Sequence, residues 1–283
     1  MALQTYLTQT QRLLHDSSSQ FYSAVELQDY INFARIRVVR DTGCNRLLQT
    51  IYLSTGVEVY PFGSVTGFQI TAPGTGYVTA PTVSIASPGV TGGVTATAVA
   101  TVTGGAVTDI VVTNPGTLYA TTPAVAFGGP GVGAAATAYF INSSTIDCVN
   151  LTIYWGNTRR VLSYREWSTF NAIARGWVGY LGMPSLFSIY GYTQTFIAKI
   201  PDQAYKADFD SVQQPPPLVD NTTLEVIPIV MQDPVQYFAA HLAKIKAQRW
   251  QEADMFYQRY NMEVLKAINS SFTRRLKYPY FAT

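Results

Sequence analysis

The sequence predicts an α+β fold: a helical core with a small sheet, interrupted by an all-β insertion domain made of two repeats. Three observations predict it. First, charge is unevenly spread. Residues 59–146 carry one charge, Asp109, and 14 of the chain's 21 glycines, while the rest of the 283 residues hold the other 35 charged side chains. The overall 13% charge is therefore an average over two different materials. Second, this stretch repeats itself. Pairing 65–90 with 107–132 gives 13 identities in 26 positions at an offset of 42, too dense for shared composition alone. Third, apolar residues recur at helical spacing in both flanks.

The elements follow in order. Leu3, Tyr6, Leu7, Leu13 and Leu14 form a partial helical stripe. Ser23-Ala24-Val25-Glu26 is a capping box. The amphipathic helix after it, through Leu27, Tyr30, Ile31, Ala34 and Val38, stops at Gly43. The chain then turns β-like over 47–60. Inside the insertion, β-rich runs alternate with Gly and Pro breakers. Gly104-Gly105 suits a tight hairpin, since glycine takes positive φ without steric cost. Pro73-Gly74 and Pro115-Gly116 suit type II turns. Tyr77 and Tyr119 follow those turns and are expected to anchor a small core, with Gly74, Pro81, Gly116 and Pro123 shaping the same motif. In the second copy Leu118 stands where the first has Gly76, so its turn is expected to differ. Strand edges almost without charge lack the usual lysine protection and are expected to be covered in an assembly.

Beyond the insertion, residues 149–155 alternate as a strand. Ser163-Tyr164-Arg165-Glu166 reads as a second capping box, opening a helix through Ala174. Strands are expected over 187–200 and 205–212, then a stiff Pro215-Pro216-Pro217 spacer. Asp233-Pro234 reads as an N-cap with proline at the first helical position. One long helix is expected from there to about Ser270, with Ala239, Ala243, Trp250, Ala253, Tyr257, Tyr260, Val264 and Ile268 along one side. Phe238, Leu242 and Ile245 lie off that stripe, which suggests helices packed side by side in a closed oligomer. The last residues interleave Arg274, Arg275 and Lys277 with Tyr278, Tyr280 and Phe281, a pattern suited to docking on a partner or on nucleic acid.

The chemistry expected is contact rather than catalysis. The net charge of +2 gives no global drive toward nucleic acid, and two cysteines exclude a disulfide framework or cysteine-only metal cluster. There is no P-loop, no Gly-x-Ser-x-Gly and no His-Glu-x-x-His. His15 and His241 stand alone. Glu26 and Asp29 resemble a glycosidase acid pair, but an exposed helix face beside a cap is the plainer account. The glycines at 128–133 lack a basic neighbour, so turn chemistry explains them better than phosphate binding. No catalytic residue, metal or cofactor is expected. No secretory signal or membrane span is read, and the chain is expected to be soluble and made in a cytoplasm.

The flanks resemble the head-to-tail adaptor (connector) proteins of tailed bacteriophages. The likeness rests on Tyr30-Ile31-Asn32-Phe33-Ala34, Arg40-Asp41-Thr42-Gly43, Lys199-Ile200-Pro201, Tyr205-Lys206-Ala207-Asp208-Phe209 and Pro216-Pro217-Leu218-Val219-Asp220. Ile227-Pro228 and Asp233-Pro234 with Tyr237-Phe238-Ala239-Ala240 complete it, over roughly 1–60 and 147–272. The repeats are similar to Gly-x-Gly-Tyr-x-x-x-Pro repeats of phage structural proteins. The resemblance implies a ring in the virion neck, usually of twelve subunits, between the portal and the tail nozzle or tail tube, with DNA passing through the lumen without sequence-specific binding. It divides the chain into a discontinuous core (1–60 and 147–272), an inserted domain (61–146, repeats about 65–106 and 107–142) and a docking tail (273–283). It also implies that Arg274, Arg275, Lys277, Tyr278, Tyr280 and Phe281 reach the portal. The insertion is not a standard part of the adaptor core; it is expected on the outside of the ring, against tail fibres, a tail protein or a neighbouring subunit. A carbohydrate-binding or adhesin module is the competing expectation, and a peptidoglycan hydrolase a weaker one.

Overall fold

The computed structural model describes residues 3–173, 175 and 179–272. In chain order the elements are α1 (Leu3–Leu14), α2 (Ala24–Thr42), β1 (Arg46–Leu53), β2 (Val59–Pro61), β3 (Val65–Thr75), β4 (Thr82–Ile85) and β5 (Thr97–Thr103). Then come β6 (Ala106–Asn114), β7 (Val125–Gly128), β8 (Val132–Phe140), β9 (Thr145–Trp155), β10 (Thr158–Val161) and β11 (Ser163–Tyr164). The described elements then continue with α3 (Trp167–Ile173), β12 (Leu186–Tyr190), β13 (Gln194–Ala198), β14 (Tyr205–Gln213), a 3-10 turn (Ile229–Met231), α4 (Asp233–Lys246) and α5 (Trp250–Phe272).

Among the described residues strand outweighs helix, 35% against 29%, in four sheets. The expected helical core with a small sheet is therefore corrected. The chain divides into two compact units: Met1–Arg46 with Gln214–Thr283, which is helical, and Leu47–Gln213, which holds almost all the strands. The strands flanking the repeats belong to the second unit. They form two four-stranded sheets, β1-β14-β9-β10 and β11-β12-β13-β2. Ile51, Leu53, Leu151, Ile153, Ala207 and Phe209 of the first sheet and Tyr60, Phe187 and Ile197 of the second share one core. Burying each large apolar side chain there stabilises by about 1.5–3 kcal/mol. Phe196 and Ala198, on the other face of the second sheet, pack instead with Phe170 of α3.

The repeats form a smaller core of their own by exchange. β3 of the first copy pairs antiparallel with β8 of the second, and β5 of the first with β6 of the second. Between them β4 pairs with β7: Val83 faces Phe127, Ser84 faces Ala126 and Ile85 faces Val125. Under the offset of 42 that ladder maps onto itself, so a pseudo-two-fold axis passes by Ser84 and Ala126. The same operation relates Tyr77 N–H donating to Gly105 O (3.1 Å) and Tyr119 N–H donating to Gly63 O (2.9 Å). The hairpin at Gly104-Gly105 forms with φ of +63° and +81°, as the dipeptide predicts.

In the helical unit, Ser23 Oγ accepts from Glu26 N–H at 3.2 Å and Gly43 closes α2 at φ +60°. Three local expectations are corrected. Ser163 and Tyr164 lie in β11, parallel to Leu186 and Phe187, so α3 starts only at Trp167. Asp233 is already helical and Gln232 holds the cap position without a side-chain cap bond. The single long helix is two. It breaks at 247–249, where Gln248 sits at φ +58°, and α5 packs back on α4. The reversal buries Ala239 and Ala243 of α4 and Ala253, Tyr260 and Val264 of α5, which one straight helix with a single stripe cannot bury against itself.

Candidate functional site

The repeat residues singled out by sequence occupy equivalent places. Gly74 and Gly116 both sit at φ +66°. A Cβ on Gly74 would lie 2.6 Å from Ala134 N and 2.8 Å from the Tyr77 ring; on Gly116, 2.7 Å from Ala96 N and 2.9 Å from the Tyr119 ring. Each glycine therefore lets the backbone of the opposite copy approach closely. Tyr77 and Tyr119 are 4% and 1% exposed, and Pro81 and Pro123 are buried. The Tyr119 hydroxyl accepts from Ala96 N–H (2.9 Å) and donates to Ala86 O (3.1 Å). The copies differ in the expected turn: Pro73 and Gly74 stay within β3, with Pro73 opposite Ala134. Leu118 keeps the left-handed φ of Gly76, +64° against +77°, even though the Pro-Gly step before it differs between the copies.

The glycines at 128–133 serve packing as well as turning. The Tyr77 ring lies where a Gly131 side chain would stand, 2.4 Å from its Cβ, and Thr82 Oγ1 would be 2.5 Å from a Cβ on Gly128. Outside this core, Thr97, Val99 and Thr101 of β5 and Thr108, Val111 and Thr113 of β6 form an exposed, nearly uncharged face.

The helical unit carries features that periodicity missed. Arg35, in the middle of α2, is fully buried. Its guanidinium bonds both oxygens of Glu225 (3.1 and 2.8 Å), Pro216 O (2.7 Å) and Asn32 Oδ1 (3.3 Å). Asn32 also accepts from Leu218 N–H and donates to Leu218 O. Together these bonds lash the proline-rich segment 216–225 to α2. A polar residue among Ile31, Ala34 and Val38 was the available signal for Arg35; its partner, 190 residues away, had none.

α5 has two apolar faces. Ala253, Tyr260, Val264 and Ala267 are buried, while Met255, Met262 and Leu265, on the opposite side at 100° per residue, are 70%, 47% and 59% exposed. Met255 and Met262 border a groove of about 450 Å³ with Leu13, His15, Tyr237 and Phe256.

The acid–base candidates do not converge. The Glu26 carboxylate accepts from Lys246 and from the Tyr30 hydroxyl (2.6 Å), and these bonds, Lys246 first, lower its pKa, so it is held ionised. Asp29 is exposed on the helix. His241 Nδ1 lies 2.8 Å from Ala253 O between the Phe238 and Tyr257 rings, a structural position at the helix reversal. Burial pushes the Cys148 and Cys44 thiols up, away from thiolate chemistry. Among the described residues no group of three or more His, Cys, Asp or Glu side chains is placed to hold a metal ion, and no helix is long and apolar enough to cross a membrane. Arg274, Arg275, Lys277, Tyr278, Tyr280 and Phe281 lie outside the described residues. The sequence matches no protein-family model and no curated protein.

Proposed function

We propose that this protein is a structural subunit of a bacteriophage neck, a homo-oligomeric ring between portal and tail, and that it acts by contact rather than by catalysis. The observation that carries the reading is the second apolar face of α5. Met255, Met262 and Leu265 are exposed along a helix whose other face already closes the unit's core. Such a stripe is completed by a neighbouring subunit, and a heterologous contact of this kind closes into a ring. In this reading the basic-aromatic residues from Arg274 to Phe281 dock on the portal, and the uncharged repeats face fibres or tail proteins. The burial of Tyr77 and Tyr119 counts against the adhesin alternative, because those rings cannot stack on a sugar.

Native mass spectrometry of the purified chain, alone and with portal protein, tests the proposal. A ring, alone or on the portal, is expected. Met255→Glu with Met262→Glu should return it to monomer with unchanged circular dichroism. A wild-type chain that stays monomeric and ignores the portal refutes it.

A further inference from the structure

The β-rich unit contains a cavity of about 520 Å³ beside β12 and β13, within the roughly 300–1,000 Å³ range of small-ligand sites. Among the described residues its lining includes an aliphatic group, Ile173, Leu186, Ile197, Ala198 and Ile200, with Ser185 and Tyr180 beside it. Of the lining residues, Ile173 and Tyr180 are more than half exposed, so the described rim offers apolar surface.

Three charged side chains border it, Glu58, Arg175 and Lys199. Two are already committed to each other. Arg175 Nε donates to Glu58 Oε1 at 2.7 Å, and its guanidinium stacks 5.6 Å from the Trp167 ring centre and 5.3 Å from that of Phe196. Lys199 differs. Its Nζ lies 5.0 Å from the Tyr180 ring centre, and no carboxylate among the described residues pairs with it. The cavity thus combines an aliphatic interior with one uncompensated ammonium. A dianionic phosphate favours a bidentate arginine, which Glu58 has taken here. A single ammonium suits a monoanion.

We propose that this cavity binds an aliphatic group bearing a carboxylate, with the aliphatic part against Leu186, Ile197 and Ile200 and the carboxylate on Lys199 Nζ. The chemistry is shared by a free fatty acid and by a polypeptide ending in an aliphatic residue. The site does not depend on ring formation, and binding is read on the chain by itself.

The test is calorimetry and saturation-transfer NMR on the full-length protein. The probes are decanoate, decanol, and acetyl-Ala-Leu-Ile with a free or an amidated C-terminus. Saturable binding of decanoate or of the free-acid peptide is expected, about threefold tighter than its uncharged counterpart, as an exposed ion pair implies. Which of the two binds identifies the source. Lys199→Ala should erase the preference and Lys199→Glu should reverse it. Lys199 is exposed, so both variants should keep the wild-type circular dichroism. Failure of both acids to bind, or a preference unchanged in Lys199→Glu, overturns the proposal.

Discussion

Replacing Arg35 is the sharpest test of how the helical unit is held together. The Arg35 and Glu225 side chains are 1% and 2% exposed and meet at 2.8 Å. Arg35→Ala removes two bonds to Glu225, one to Pro216 O and one to Asn32, and leaves the Glu225 carboxylate buried without its cation. Breaking one side of a buried pair costs about 3–5 kcal/mol, because the orphaned charge keeps its desolvation penalty. Replacing both partners with apolar residues of similar volume should cost far less, near zero to about 1 kcal/mol, since the penalty goes with the charges. Hydrogen exchange resolved by peptide is the assay, because the chain has two compact units and one global transition is not assured. Arg35→Ala should lower protection in α2 and in 216–228 and leave β9 and β14 unchanged. Arg35→Met with Glu225→Leu should recover most of the loss. Equal loss in the single and double variants would rule this out, because the pair would then hold the segment by direct attraction rather than by mutual compensation.

Three further predictions concern the repeats and the helical unit. Tyr119→Phe leaves Ala96 N–H and Ala86 O without their partner and should cost about 1–3 kcal/mol by denaturant titration; Tyr77→Phe should be nearly neutral, as its hydroxyl has no such bonds among the described residues. Leu118→Gly relieves a left-handed conformation at an exposed turn and should stabilise by about 1 kcal/mol, raising Tm by about 2–4 °C; a lower Tm would show that Leu118 packs on something worth more than its strain. Glu26 has a folded pKa below the ordinary glutamate value of 4.5, through Lys246 first and then Tyr30. Its contribution is complete above that value and fades as pH falls through the lowered one. Glu26→Gln should therefore destabilise the protein at neutral pH, with the gap closing in acid; a gap that persists at low pH would exclude this carboxylate as its source.

Sequence and structure agree where the controlling physics is local. Ser23 and Gly43 cap α2 as expected because cap geometry involves residues three or four apart. The Gly104-Gly105 hairpin was legible because φ is set by the residue that adopts it. The break between α4 and α5 was not. It falls in Ala247-Gln248-Arg249, with no glycine or proline to mark it, and is favoured by the burial of Tyr260 and Ala253 against α4. Ser163 shows the same limit: the capping pattern is present, but pairing with Leu186 and Phe187 outweighs it. The α5 stripe was visible only in part, since a single long helix makes Met255 and Met262 look like ordinary surface positions.

A duplicated, nearly uncharged β segment between more highly charged flanks, and the glycines and tyrosines that recur in it, can be read directly from the amino-acid order. Duplication and charge are properties of the letters and need no partner. The exchange of strands between copies about a pseudo-two-fold axis, the joining of the flanking strands to them in one β-rich unit, and the meeting of Arg35 with Glu225 emerge only in the folded chain. Alternation shows that a strand has an apolar face but not which strand will cover it; that choice is made by burial among residues far apart in the chain.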